Sequence, residues 1–313
     1  MQRRCAAVKS FLGKFGTEPV MMAIQAARAF TGRPSIARFE GAYHGSYDFA
    51  AVGTSVKSAL AAGEQPAALP HALGTPDAVA DNVVVLRYND IAGLERAIAD
   101  HRDHLAAVLI DLMPWRMGLI AGEEEFVRAV RELTRAHGIL MICDEVITYR
   151  VAPGGLQSRY GVTPDLTTLG KVIGGGFPVG AVGGRAEVIA VFDPRAGQPK
   201  VPHGGTFTAN PITKAAGLAT MRTLTPETYR YLDDLGSALR RGLTFVIQQA
   251  GLPGYVTGTG SLFGLCLGET PARDFRGWAG GERERARRGK SMPRCSLVAR
   301  SSHPTLSGAS PPR

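Results

Sequence analysis

Ile139-Leu-Met-Ile-Cys-Asp144-Glu-Val, followed further along by Asp165-Leu-Thr-Thr-Leu-Gly-Lys171-Val-Ile-Gly-Gly-Gly176, decides the fold. The first stretch predicts a short buried strand that ends in a carboxylate. The second predicts another short strand, which delivers one lysine into a glycine-rich turn and leaves its amine exposed. Ligands of open α/β sheets bind at the carboxyl ends of the strands, so an acid and an amine placed there can face one bound molecule.

The surrounding pattern supplies such a sheet. Residues 15–31 predict a helix: Thr17 can cap it, Glu18 suits the positive end of the dipole, Pro19 is tolerated in the first turn, and Gly32 and Pro34 end it. A strand over Ile36 to Phe39 leads into the turn Glu40-Gly-Ala-Tyr43-His44-Gly45, and residues 46–82 form a long irregular stretch of the kind that carries function. Strands are then expected at Val83 to Leu86, Ala106 to Asp111 and Ile139 to Cys143, with helices at Ile91 to Asp100 and Glu123 to His137 between them. Strands alternating with helices imply a largely parallel sheet. Further helices are expected over Pro211 to Leu224 and Thr225 to Gln249, and a smaller β-containing unit opens at Val256 to Leu267.

Composition narrows the classes. A chain of 313 residues, 44% hydrophobic and 20% charged, has enough apolar material for one large domain or two ordinary ones. It holds no apolar run long enough to cross a membrane, and Met1 to Lys9 lacks the apolar centre of a secretory signal; both predict a cytoplasmic protein with no membrane partner. Cys5, Cys143, Cys266 and Cys295 are scattered without paired spacing, which argues against a metal site or a disulfide framework. The net charge of +9 would suggest a nucleic-acid partner, but eight basic residues against two acids lie between Glu282 and Arg313. A tail rich in Arg, Ser and Pro is expected to lack structure and does not make a folded basic face.

Single motifs are weak alone. Lys171 among glycines is commonly a solvated turn residue; its spacing is not that of a Walker loop, and no Gly-x-Gly-x-x-Gly opens a βαβ unit with an acid placed for a ribose. Asp144 at a strand end could be a helix cap, yet five apolar residues before it predict partial burial and a need for a partner. A protonated pyridine nitrogen is such a partner, and a lysine that forms a Schiff base completes what pyridoxal phosphate chemistry requires. Gly16 and Thr17 at a helix start suit a phosphate, although an ordinary N-cap explains them as well. Tyr43 could stack on a planar ring or simply pack, and Gly204-Gly-Thr206-Phe-Thr208 is a second hydroxyl-bearing turn before a helix.

Taken in order, these motifs resemble the class III aminotransferases, pyridoxal phosphate enzymes of fold type I, with the greatest similarity to glutamate-1-semialdehyde aminomutases and β-amino-acid aminotransferases. The resemblance runs from about Phe15 to about Leu267. It rests on Gly-Thr-Glu (16–18), Phe-Glu-Gly-Ala-Tyr-His-Gly (39–45), Asp-Glu-Val (144–146), Thr-Pro-Asp-Leu-Thr-Thr-Leu-Gly-Lys (163–171), Gly-Gly-Gly-Phe-Pro-Val-Gly-Ala-Val-Gly-Gly-Arg (174–185) and Gly-Gly-Thr-Phe (204–207). It implies an α/β fold with a mostly parallel central sheet flanked by helices, and pyridoxal 5'-phosphate as cofactor. By the same resemblance Lys171 is the Schiff-base lysine, Asp144 the carboxylate at the pyridine nitrogen and Val146 the apolar residue beneath the ring. Tyr43 is the stacked residue with His44 beside it, Gly16 and Thr17 are the phosphate-binding turn, and Thr206 is a phosphate contact reaching across from a second subunit of a homodimer.

Departures from the family pattern bear on activity. Phe15 replaces a serine, Asp111-Leu112 replaces a Glu-Pro pair, and Arg116 replaces an asparagine of the aminomutases. Arg116 could contact the cofactor or a substrate carboxylate, which favours an aminotransferase for small-molecule amino donors and acceptors over an aminomutase. The resemblance also implies missing sequence: residues 1–255 correspond to a large domain lacking its N-terminal part, 256–270 to the start of a truncated small domain, and 271–313 to a basic tail that resembles out-of-frame sequence. A catalytically inactive remnant of such an enzyme is the remaining expectation.

Overall fold

A computed structural model describes residues 9–13, 16–55, 63, 65–268 and 270–280. Phe15 and residues 281–313, for which a lost hydroxyl and an unstructured tail are expected, lie outside the described residues.

Among the described residues, seven strands form one sheet in the order β1-β7-β6-β5-β4-β2-β3. They are β1 (Lys9–Gly13), β2 (Ser35–Phe39), β3 (Val83–Leu86), β4 (Leu105–Ile110), β5 (Leu140–Asp144), β6 (Leu166–Gly170) and β7 (Gly180–Gly184). The β3-β2-β4-β5-β6 block is parallel throughout, and β7 runs antiparallel to both β6 and β1. The expected mostly parallel sheet is therefore present. The chain reverses lateral direction between β2, β3 and β4, a switch that opens a crevice at the carboxyl ends.

Both faces of the sheet are covered, which is why β4 is apolar along its whole length and β5 is apolar up to Asp144. Side chains alternate across the sheet: Leu140 and Ile142 join the core under α1 (Thr17–Thr31), whereas Met141 and Cys143 join the opposite core. That second core takes Leu94 and Ile98 from α2 (Ile91–His101) and Phe126, Val127 and Val130 from α3 (Glu124–Ala136). The spacing of these residues puts them on one helical face. Two longer helices, α4 (Pro211–Thr223) and α5 (Pro226–Gln249), lead to an antiparallel hairpin of β8 (Gly254–Thr257) and β9 (Gly264–Leu267).

Several expectations change. Thr17 does not cap α1: Gly16 holds the N-cap position and the Thr17 hydroxyl instead accepts from Ser46 N at 3.3 Å. The glycine-rich turn that Lys171 enters is present, and a strand not expected from sequence, β7, follows it, because pairing on both sides makes a strand of Gly180–Gly184 despite its weak propensity. The expected boundary after residue 255 falls inside β8. Most consequentially, residues 271–280 do not behave as a tail. Phe275 is 2% exposed and joins the core with Phe39 and Phe126, since burying an aromatic ring outweighs the basic composition around it.

Candidate active site

The parallel strands deliver their carboxyl ends to one place. Asp144 is the last residue of β5 and pairs in register with Thr168 of β6; Lys171 follows directly on β6, and Asp111 directly on β4. The turn after β2 adds Tyr43, His44 and Gly45, and the start of α1 adds Gly16 and Thr17. All of these except Thr168, together with Val146 and Ile147, line one cavity of about 180 Å3. Seven of the residues singled out from sequence, Gly16, Thr17, Tyr43, His44, Asp144, Val146 and Lys171, are thereby brought together.

Both oxygens of the Asp144 carboxyl are held. His44 Nδ1 lies 2.8 Å from Oδ2, Thr168 Oγ1 donates to Oδ1 at 2.9 Å, and Val146 N donates to the same oxygen at 3.1 Å. Burial pushes the His44 pKa down against the opposing pull of Asp144, so a neutral imidazole with its proton on Nδ1 satisfies the pair. Its Nε2 is buried and has no hydrogen-bond partner among the described residues.

Two further groups tune the cavity. Burial, and then the nearby Asp144 charge, push the Asp111 carboxyl well above the usual carboxylate range, while Met113 N donates to its Oδ1 at 2.9 Å. Lys171 is exposed as a residue, yet the surrounding protein desolvates its amine and lowers its pKa, with Asp144 and then Asp111 opposing. Its backbone is left-handed at φ 47°, an unfavourable conformation for a side chain with a Cβ, and the turn Lys171–Gly174 that follows ends on left-handed Gly175.

Glycine sets the shape at two points. A methyl group on Gly16 would come within 2.9 Å of Val146 Cγ1, and Gly45, at φ 93°, backs directly onto Thr17. Behind the turn, fully buried Arg38 donates to Ala50 O at 2.5 Å, to Val52 O at 2.6 Å and also to Ala42 O, fixing the segment that carries Tyr43 and His44.

These residues fit pyridoxal phosphate. A buried, fully oriented carboxyl group, an amine with lowered pKa, an aromatic and an apolar wall, and a helix N-terminus with glycine beside it supply what its ring nitrogen, carbonyl, ring faces and phosphate each need. Two expected residues stand apart. Thr206 is exposed and does not line the cavity. Arg116 stands over the Tyr43 ring at 5.7 Å, beside Trp115, whose ring is 6.5 Å from that of Tyr43, and so meets the cavity through Tyr43. Asp111, Gly45, Ile147 and Thr168 are not singled out as site residues by the sequence. An acid directly after an apolar strand is the available signal for Asp111, whereas Thr168 is identified only by register.

A sequence model of the family described as Aminotransferase class-III matches residues 2–279. The glutamate-1-semialdehyde 2,1-aminomutase 2 of Staphylococcus haemolyticus is 38% identical over 261 residues, which are 83% of this chain and 59% of that protein. Among solved structures, an omega-transaminase from Sphaerobacter thermophilus superposes with a TM-score of 0.84 at 56% identity, covering 88% of this chain and 63% of the other. A second, described as a transaminase with PLP bound, gives a TM-score of 0.78 at 42% identity over 84% of this chain and 61% of its own. The chain thus spans about three fifths of the relatives it matches. The family match reaches past Leu267, in keeping with the docked segment 271–280.

Proposed function

The chain belongs to the class-III aminotransferases, and on that premise we propose that it is the cofactor-binding core of an aminotransferase that moves an amino group from a small amino acid or related amine to a carbonyl compound. The observation that carries this reading is the presence of Lys171 and Asp144 in one cavity, at the ends of adjacent parallel strands.

Pyridoxal phosphate, when bound, supplies a carbonyl carbon for the lysine and a ring that withdraws electrons from the substrate carbon. Asp144, oriented by His44, Thr168 and Val146, is the group that holds a proton at the ring nitrogen. Lys171, whose lowered pKa leaves more of its amine unprotonated, is the base that takes a proton from the substrate carbon and returns it. Tyr43 and Val146 confine the ring between an aromatic and an apolar surface, and Gly16 and Thr17 take the phosphate at the N-terminus of α1. Arg116 stands where it can meet a substrate carboxylate over Tyr43.

Thr206 is exposed and neighbours Phe207, which is 65% exposed; both support a homodimer in which this turn meets a second subunit. Cys143 and Cys266, both buried and in the thiol form, accord with the reducing cytoplasm.

A second reading, internal amino exchange as in an aminomutase, is favoured by the 38% identical relative. The 56% identity to an omega-transaminase supports transfer between two molecules. Nitrogen-15 labelling separates the two. Label passing from an added amino acid to a separate keto acid is the expected result, label moving only within one amino aldehyde would establish the aminomutase, and no movement in cofactor-loaded protein would leave a non-catalytic remnant.

A further inference from the structure

Residues 271–280 touch both loops that frame the cavity. On one side Phe275 packs under the turn after β2: Gly41 has φ 76°, and a methyl group there would overlap the Phe275 ring. Arg276 Nε donates to Glu40 Oε1 at 2.9 Å, and its Nη1 donates to Gly63 O at 2.5 Å. On the other side Trp278 stacks on Phe275, with centroids 5.8 Å apart, and lies against the loop after β4. A methyl group on Gly118 would come within 2.7 Å of Trp278 Nε1. Arg273 pairs with Glu123 at 2.7 Å, Asp274 pairs with Arg87 at 2.7 Å, and Asn89 Nδ2 donates to Arg273 O at 2.7 Å, fastening the segment at its start.

We propose that Phe275 and Arg276 are positioning residues for the cavity: through Glu40 and Gly41 they set where Tyr43 and His44 stand, and through Trp278 the same segment steadies the loop that carries Asp111 and Arg116. The inference rests on the functional reading above for its consequence, not for its geometry. Glu40 is 2% exposed and burial pushes its carboxyl up, with Arg276 opposing, so loss of the guanidinium leaves a buried acid that the turn relieves by moving. The two loops also meet directly, through Tyr43 and Trp115 and through Arg116 over Tyr43, so displacement of one is felt by the other. Arg38 braces the turn from behind at Ala42, while Phe275 and Arg276 support its start at Gly41 and Glu40.

Amide hydrogen exchange on the full chain without cofactor tests this, comparing Phe275→Ala, Phe275→Leu, Arg276→Gln and Arg276→Lys. Phe275→Ala and Arg276→Gln are expected to speed exchange on the order of tenfold at residues 41–45 and 113–118, with α1 and β5 unchanged and with the Leu and Lys variants largely restored. Pyridoxal phosphate affinity is expected to fall on the order of tenfold in the same two variants, and the pH midpoint of the bound cofactor's absorbance to shift. Faster exchange confined to 271–280, with both loops as in the wild type, would overturn the proposal. Should Phe275→Ala fail to fold, Arg276→Gln alone is judged by that criterion. Failure of the wild type to bind cofactor would sink the functional reading and still leave the exchange result to decide the positioning role.

Discussion

His44 Nδ1 lies 2.8 Å from Asp144 Oδ2, joining a turn after β2 to the end of β5 across 100 residues of sequence. Because His44 is fully enclosed and neutral, the contact orients Asp144 without removing its capacity to serve a bound ring. Asp144→Asn keeps the shape and most of the hydrogen bonds, so the fold is expected to survive with a loss of about 1 kcal/mol in urea denaturation. Amino transfer is expected to drop by roughly 100-fold or more, because the amide cannot hold the ring nitrogen's proton. Unchanged turnover would remove Asp144 from the chemistry.

Lys171 pays for its placement with left-handed backbone geometry at φ 47°. Lys171→Gly is therefore expected to be more stable than Lys171→Ala by about 1 kcal/mol in cofactor-free protein, the reverse of the usual ranking of the two residues. Chemical denaturation of the two variants side by side measures it. Equal stability would mean that the turn relaxes freely.

Two buried acids are expected to shift stability with pH in opposite senses. Arg131 and Arg185, with Met141 N, outweigh burial and hold Asp165 below its ordinary value of 3.8. Its contribution is present above that pH and is lost as pH falls through the folded-state value. Asp111 is raised by burial and by Asp144, so its contribution is complete below its ordinary value of 3.8 and is lost as pH rises toward the folded-state value. In denaturation series across pH, Asp165→Asn should flatten the acid limb, whereas Asp111→Asn should gain on the wild type as pH rises above about 4, by at most about 1.4 kcal/mol per pH unit. Parallel curves for either variant would contradict the assigned direction.

Much of this site is legible in the amino-acid sequence, for identifiable reasons. Asp144 follows five apolar residues and Lys171 opens a glycine run, and both signals are local. What escapes a sequence reading is decided by tertiary pairing. Gly180–Gly184 has almost no side-chain signal for a strand and becomes one because β6 and β1 flank it. Thr168 reaches Asp144 only through the parallel register of β5 and β6. The segment 271–280 is obscured by its basic surroundings, although Phe275 and Trp278 already stand three residues apart, the spacing of one helical face. Thr206 is named through resemblance alone, and its exposed turn is consistent with a role that needs a second subunit.

The central claim is that Lys171 carries the cofactor. Loading the protein with pyridoxal phosphate, reducing with borohydride and mapping the peptides by mass is expected to place the added mass on the peptide containing Lys171, and to find none on Lys171→Ala. Added mass on a different lysine, or none on the wild type, would contradict the account.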